Sequence, residues 1–264
     1  MTAADRWAKA LASWAIPEGI LAQTDETPWA LPPRAFAESA RLALERPPTP
    51  THSSALEVLP DGGTVLDVGA GAGAASLPLS VRADLIVAVD QSPAMLAEMT
   101  TLVKGRVRLK TVEGLWPEAA ARVAVADVAV CANVAYNMSD LGPFVAALTD
   151  RARRRVVLEL TARHPQYSLN WLWKHFWNLD RPETPIFEDA AQVIREELGV
   201  EIEVARWRRR APLTSRLDPD NVSWVRRRLC LPPSRDRELA QLLVENGTDA
   251  TAEMATIWWA GRAG

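Results

Sequence analysis

The chain has 264 residues, 30 of them basic and 33 acidic, for a formal charge of −3, with 48% hydrophobic side chains. That balance is an ordinary globular one, long enough for one large core or a core with a small cap, and its acidic sign disfavours a general polyanion binder. No apolar run approaches the roughly 18 residues of a membrane helix, the first residues lack a secretory pattern, and Cys131 and Cys230 match neither a disulfide scaffold nor a metal spacing, so a cytoplasmic protein without a metal is expected.

Residues 1–55 read as an N-terminal helical extension in the position of a lid. They hold an amphipathic stretch, Asp5–Ile16, the breakers Pro17, Pro28, Pro32 and Pro33, and a helix over Arg34–Arg46 with Phe36, Ala40 and Leu44 at helical spacing. Pro47-Pro48-Thr49-Pro50 ends that helix. From Thr64 the pattern changes, and residues 56–264 read as one Rossmann-like domain. Short apolar runs (Thr64–Gly69, Leu85–Asp90, Val107–Val112, Val125–Cys131, Val156–Thr161) alternate with helical stretches (Ser76–Ser80, Pro93–Val103, Trp116–Arg122, Gly142–Arg153). Continuous apolar strands alternating with helices predict an α/β fold with a doubly wound, mostly parallel sheet. Arg163–Thr184 then interrupts the alternation with Tyr167, Trp171, Trp173, Phe176 and Trp177 around Lys174 and His175, an aromatic cap insertion spanning about residues 163–185. It follows the fifth strand's carboxyl end, where open α/β sheets bind ligands, and reads equally as a substrate wall or as packing for the N-terminal extension. Helix Phe187–Leu198, strand Val200–Arg206, helices near Asp220–Leu229 and Asp236–Glu245, and strand Met254–Trp259 complete a seven-stranded plan.

Residues 64–74 read T-V-L-D-V-G-A-G-A-G-A. Glycines after a strand free the backbone to turn tightly and approach a ligand, and a helix starting near Ala74 or Ala75 would offer unpaired N–H groups. No Gly-Lys-Ser/Thr follows, which removes the P-loop reading. A dinucleotide reading survives on the spacing of Gly69, Gly71 and Ala74. Against it stands Asp67, a carboxylate where a pyrophosphate would sit, which suits an ammonium group instead.

Val65-Leu66-Asp67-Val68-Gly69-Ala70-Gly71-Ala72-Gly73 resembles the first motif of class I S-adenosylmethionine-dependent methyltransferases. Val87-Ala88-Val89-Asp90-Gln91-Ser92 follows about 20 residues on, the separation at which an acid grips a ribose diol. The resemblance implies S-adenosylmethionine as cofactor, bound through Asp67, Gly69, Ala70, Gly71, Gly73, Asp90, Gln91, Met95, Leu115, Trp116, Cys131 and Asn133. Asp90 would take the ribose hydroxyls, and Gln91 would lie along the adenine. Leu115 stands where the family often has Asp, so adenine recognition would pass to backbone groups and stacking on Trp116, unless Trp116 is core. Ala126–Asn137 resembles the fourth strand and its tip, placing Asn133 and Tyr136 toward the transferred methyl. The N-P-P-Y/F motif of amino-base methyltransferases is absent.

Methyl transfer from a sulfonium depends chiefly on positioning, and a base is needed only if the acceptor must lose a proton. His164 and Tyr136 are the catalytic candidates, with His175 behind them. Eleven tryptophans beside two tyrosines favour a small, apolar or aromatic acceptor. The arginine clusters at 151–155, 206–210 and 226–228 keep an rRNA or tRNA methyltransferase as the second reading. An NAD(P)-dependent reductase is the third, without a Tyr-x-x-x-Lys pair to back it.

Overall fold

The computed structural model describes residues 1–29, 33–210, 219–246 and 251–262; Pro32, one of the predicted breakers, lies outside them. The N-terminal segment forms α1 (Ala3–Ala12), the single turn α2 (Glu18–Leu21), α3 (Pro33–Glu45) and α4 (Pro50–Val58). The alternating part follows as β1 (Gly63–Val68), β2 (Ala83–Asp90), α5 (Pro93–Val103), β3 (Arg108–Glu113), β4 (Ala126–Ala132), α6 (Leu141–Asp150) and β5 (Ala152–Thr161). Then come α7 (Asn170–Trp177), α8 (Phe187–Leu198), β6 (Glu203–Arg210), α9 (Pro219–Arg228), α10 (Asp236–Glu245) and β7 (Thr251–Ala260).

The seven strands form one sheet in the order β3-β2-β1-β4-β5-β7-β6. β1 to β5 pair in parallel, and β7 runs antiparallel to both β5 and β6. The doubly wound, mostly parallel seven-stranded sheet expected from the sequence is therefore the observed fold. Each face carries its own core. On one, Trp7 of α1, Phe144 of α6 and Ile194 of α8 pack on Leu66, Val156 and Leu158. On the other, Ala40 of α3, Ala55 of α4 and Met99 of α5 pack on Val65, Ile86 and Val130. The first 55 residues are thus divided between both faces. A third cluster joins Ile16 to Leu172 and Trp173 of α7, Val225 of α9, and Leu239 of α10. In the aromatic stretch after β5, helix α7 buries Leu172 and Trp173 against this cluster and leaves Trp171 exposed.

Two local expectations are corrected. Pro47-Pro48-Thr49-Pro50 not only ends α3 but starts another helix: Thr49 is the N-cap of α4 and Pro50 its first helical residue, where a missing N–H does no harm. Beyond the glycine turn there is no α-helix from Ala74; a 3-10 helix over Leu77–Val81 takes its place. The reason lies in Pro78, whose absent N–H cannot bond the carbonyl of Ala74 four residues earlier. That carbonyl is met instead by the Nε2 of His52 on α4, at 3.1 Å. Smaller shifts affect the helix predicted over 116–122, which is a 3-10 turn over Glu118–Arg122, and the sixth strand, which runs from Glu203 to Arg210.

Candidate functional site

The carboxyl end of β1 opens into the glycine turn. Gly69, Gly71 and Gly73 all have positive φ, at 66°, 53° and 91°, a region in which side chains with a Cβ are strained. Gly69 is also held by space, since a Cβ there would come within 2.2 Å of Val134, just past the tip of β4. The turn is pinned from β2. The N–H groups of Gly69 and Ala70 both donate to the carbonyl of Val89 at 2.8 and 3.0 Å. The N–H of Gly71 donates to Asp90 Oδ2, and that of Ser92 to Asp90 Oδ1, each at 2.8 Å. Asp90 thus joins the first motif to the second while each oxygen keeps a further lone pair. Ser92 caps α5 by accepting from the N–H of Met95.

Asp67 is buried in the same turn, where its carboxyl accepts a hydrogen bond from Ser76 Oγ at 2.5 Å. Burial pushes its pKa up to about 7, against the pull of the Ser76 bond and with a further push from Asp90. The thiol of Cys131, buried on β4, is pushed well above its ordinary range by burial and by the charge of Asp67. Gln91 is exposed beside Asp90, and Leu115, at 58% exposure, stands free on the surface. Trp116 is 5% exposed and donates its Nε1 proton to the carbonyl of Phe144 at 3.2 Å. Its ring packs with the core on the α6 side of the sheet.

The tip of β4 meets a polar cluster that sequence reasoning missed. Asn133 takes a left-handed conformation at φ 61° and donates through its backbone to the Glu159 carbonyl at 2.8 Å and through Nδ2 to Glu159 Oε1 at 3.2 Å. The buried Glu159 carboxylate also receives Thr51 Oγ1 from α4 at 2.6 Å and Arg209 Nη1 from β6 at 3.2 Å. Thr51 and Thr256 lie 2.8 Å apart, and Trp207 donates to Thr256 at 3.0 Å. The acid that interrupts the apolar run of β5 was the available signal. His52 is the other missed residue: its Nδ1 accepts from the N–H of Thr49 at 3.1 Å, so its Nε2 carries the proton given to Ala74. Burial lowers its pKa.

The two catalytic candidates come together in an aromatic stack. Tyr136 stacks on Trp7 with centroids 5.5 Å apart, His164 stacks on Trp14 at 3.8 Å, and the two rings meet edge to face at 5.3 Å. The Tyr136 hydroxyl donates to the carbonyl of Thr161 at 3.0 Å, and burial with Asp189 and Glu188 nearby raises its pKa. His164 is driven down to about 3 by burial and by the charges of Arg181 and Arg228. Its Nδ1 accepts from the N–H of Gln166 at 3.3 Å, which leaves the proton on Nε2. His175 lies elsewhere, exposed on α7 and 3.4 Å from Glu238.

The arginine clusters do not converge. Arg155 pairs in register with Ala260 and Arg208 with Glu253, seven residues away along β7, or about 23 Å. Arg155 bonds Glu57, Arg206 bonds Glu188, Arg208 bonds Glu253 and Arg226 bonds Glu26. Among the described residues no helix is long and apolar enough to cross a membrane, and no group of His, Cys, Asp and Glu could hold a metal ion.

Residues 66–155, from β1 into β5, match the family described as a methyltransferase domain. No curated protein matches the chain. Among solved structures, the chain resembles a cyclopropane-fatty-acyl-phospholipid synthase-like protein from Lactobacillus casei, with 12% identity, a TM-score of 0.59, and coverage of 92% of this chain and 98% of that one. It also resembles the YcgJ protein from Bacillus subtilis at 17% identity and a TM-score of 0.53, covering 86% of this chain and 99% of the other. A third likeness is to magnesium protoporphyrin IX methyltransferase from Synechocystis with bound SAH, at 12% identity and a TM-score of 0.51, covering 87% and 84%. The family match over β1 to β5 and the fold shared with these structures make residues 66–155 similar to a methyltransferase domain, in line with the resemblance that the glycine turn and Asp90 carry.

Proposed function

We propose that the protein is an S-adenosylmethionine-dependent methyltransferase acting on a small molecule. The observation that carries the reading is the joint between the two motifs, in which Asp90 accepts from Gly71 of the glycine turn. The turn fits the cofactor in two further respects. Gly69 has no room for a side chain beside Val134, so the turn lies tight against the segment that follows β4. Asp67 is a buried carboxyl whose raised pKa marks an acid lacking a cation, and an ammonium group would supply one.

When bound, S-adenosylmethionine supplies an electrophilic methyl group on a sulfonium. In this reading the spare lone pairs of Asp90 take ribose hydroxyls, the exposed Gln91 and Leu115 flank the adenine, and Asn133 faces the methyl. Asn133 is held in place by Glu159, and a fixed partner geometry is worth on the order of 7–11 kcal/mol in model reactions. His164 and Tyr136 belong to the acceptor side. With its proton on Nε2 and a pKa of about 3, His164 is a hydrogen-bond donor at neutral pH, so it orients an acceptor instead of deprotonating it.

Calorimetry with S-adenosylhomocysteine tests the reading. Micromolar binding is expected, with Asp90→Ala weakening it by roughly 100-fold or more, since charge-assisted hydrogen bonds are lost. Binding of NAD without binding of S-adenosylhomocysteine would overturn it.

A further inference from the structure

The N-terminal segment returns to the glycine turn at two places. His52 of α4 meets the carbonyl of Ala74 at the end of the turn, and Phe36 of α3 reaches its centre. A Cβ placed on Gly71 would come within 3.7 Å of Phe36 Cδ1, so about the width of a methyl group separates the ring from the turn. Gly71 is also the residue whose N–H donates to Asp90 Oδ2, at 2.8 Å. The ring therefore stands at the joint between the two motifs.

α3 holds this position through its apolar stripe, which lies on the face of the sheet that carries α5. Ala40 is fully buried, and Phe36, Ala37 and Leu44 pack on the cluster that includes Ala70, Ala72, Leu96 and Met99. Phe36 is only about one helical turn from Ala40, yet its larger ring is only partly buried. An aromatic ring left partly in water forgoes stabilisation that a covering group would supply. Phe36 is thus an apolar side chain with a free flank beside the carboxylate of Asp90, in a region where Gln91 is exposed and Leu115 is 58% exposed.

We propose that Phe36 is a cofactor-binding residue whose ring lies against the ribose of S-adenosylmethionine, which makes α3 a wall of the cofactor site. This rests on the methyltransferase reading, because it is Asp90 taking the ribose hydroxyls that brings the sugar to the ring. Each oxygen of Asp90 already accepts one backbone N–H, from Gly71 and from Ser92, and the remaining lone pairs go to the hydroxyls. A ribose has a polar hydroxyl edge and an apolar C–H face, so one carboxylate and one ring answer both. The ring also keeps water from the bonds to Asp90, and hydrogen bonds to a charged group strengthen where the local dielectric is low. The missing side chain at Gly71 matters here too, since a Cβ would fill the methyl-wide gap beside the ring.

The chain has only four phenylalanines, Phe36, Phe144, Phe176 and Phe187, so fluorine magnetic resonance of the full chain carrying para-fluorophenylalanine tests the assignment. The Phe36 line is identified by its loss in Phe36→Leu. Saturating S-adenosylhomocysteine should move that line. Methylthioadenosine, which keeps the nucleoside and lacks the amino-acid end, should move it likewise, and homocysteine should leave it in place. In calorimetry, Phe36→Ala should weaken S-adenosylhomocysteine and methylthioadenosine by the same factor, roughly tenfold, as expected for uncovering part of a ring. Should that variant fail to fold, Phe36→Leu, which keeps much of the apolar bulk, should still weaken both by roughly threefold. A role confined to packing would loosen the whole turn and cost S-adenosylhomocysteine more than methylthioadenosine. An unmoved Phe36 line, unchanged affinities in the folded variants, or a larger loss for S-adenosylhomocysteine than for methylthioadenosine would overturn the proposal. Wild-type protein that binds neither ligand would instead sink the methyltransferase reading, and the proposal with it.

Discussion

Asp67 is a carboxyl whose environment favours the proton. In the fold it holds that proton to about pH 7, whereas in the unfolded chain it ionises near the ordinary carboxylate pKa of about 4. Between those values the unfolded state binds fewer protons, so the residue's contribution to stability falls as pH rises. The melting temperature of the free protein should decline from pH 5 to pH 8, and Asp67→Asn should flatten that decline. Parallel slopes for the two proteins in scanning calorimetry would count against it. The same carboxyl should release up to one proton when S-adenosylhomocysteine brings its ammonium at pH 6, visible as a dependence of binding heat on buffer ionisation enthalpy. Asp67, Asp90 and the three glycines were legible in the sequence because their spacing is local: a strand end, a turn and a strand end. His52 and Thr51 were not, because their partners Ala74 and Glu159 lie 22 and 108 positions away, and nothing in a run of prolines announces the helix that brings them there.

At the level of elements, α4 is the piece that sequence reading lost and the site depends on. Its first turn sends Thr51 to β5 and β7 and His52 to the glycine turn. The strands and α5, α8 and α10 were readable because apolar runs and capping signals agree there, with Ser92-Pro93 opening α5 as one case. The α-helix expected after the glycine turn failed on one residue, Pro78. Glu159 is where α4, β4 and β6 meet, and Arg209, only one-third exposed, depends on it. Removing one partner of such a pair strands the other charge and costs about 3 kcal/mol. Glu159→Ala should therefore lower the melting temperature by roughly 6–12 °C for a chain of this size. Glu159→Gln, which keeps an acceptor for Thr51, should lose clearly less. Equal losses from both variants in thermal denaturation would argue that the ion pair contributes nothing.

For the molecule as a whole, two of the arginine clusters that kept RNA open as a substrate, 151–155 and 206–210, lie toward opposite ends of the sheet, the third is on α9, and most of these arginines carry their own acids. Phosphate binding by several cations gives an affinity that falls steeply with salt. Filter binding with transfer RNA at 50 and 200 mM salt should yield only weak association without such steepness. Tight, steeply salt-dependent binding would restore the nucleic-acid reading. The N-terminal segment, separable in the sequence by its prolines, is in the fold part of both cores, since Trp7 and Ala40 are buried on opposite faces. That division was not legible because both helices carry the same kind of amphipathic pattern, which says that a face is buried and not against what.

The position of β7 between β5 and β6 has a consequence for the order in which the molecule assembles. During synthesis, β1 to β5 can pair as they emerge, and β6 is made before the strand that must separate it from β5 exists. Thr51, made before every strand of the sheet, waits for Thr256 on β7. Until β7 slots in, both β5 and β6 present open edges, the surfaces through which nascent chains pair wrongly with one another. The polar latch joining Thr51, Glu159 and Thr256 thus closes only once β7 is made, which makes the state of that cluster a report on whether the sheet is complete.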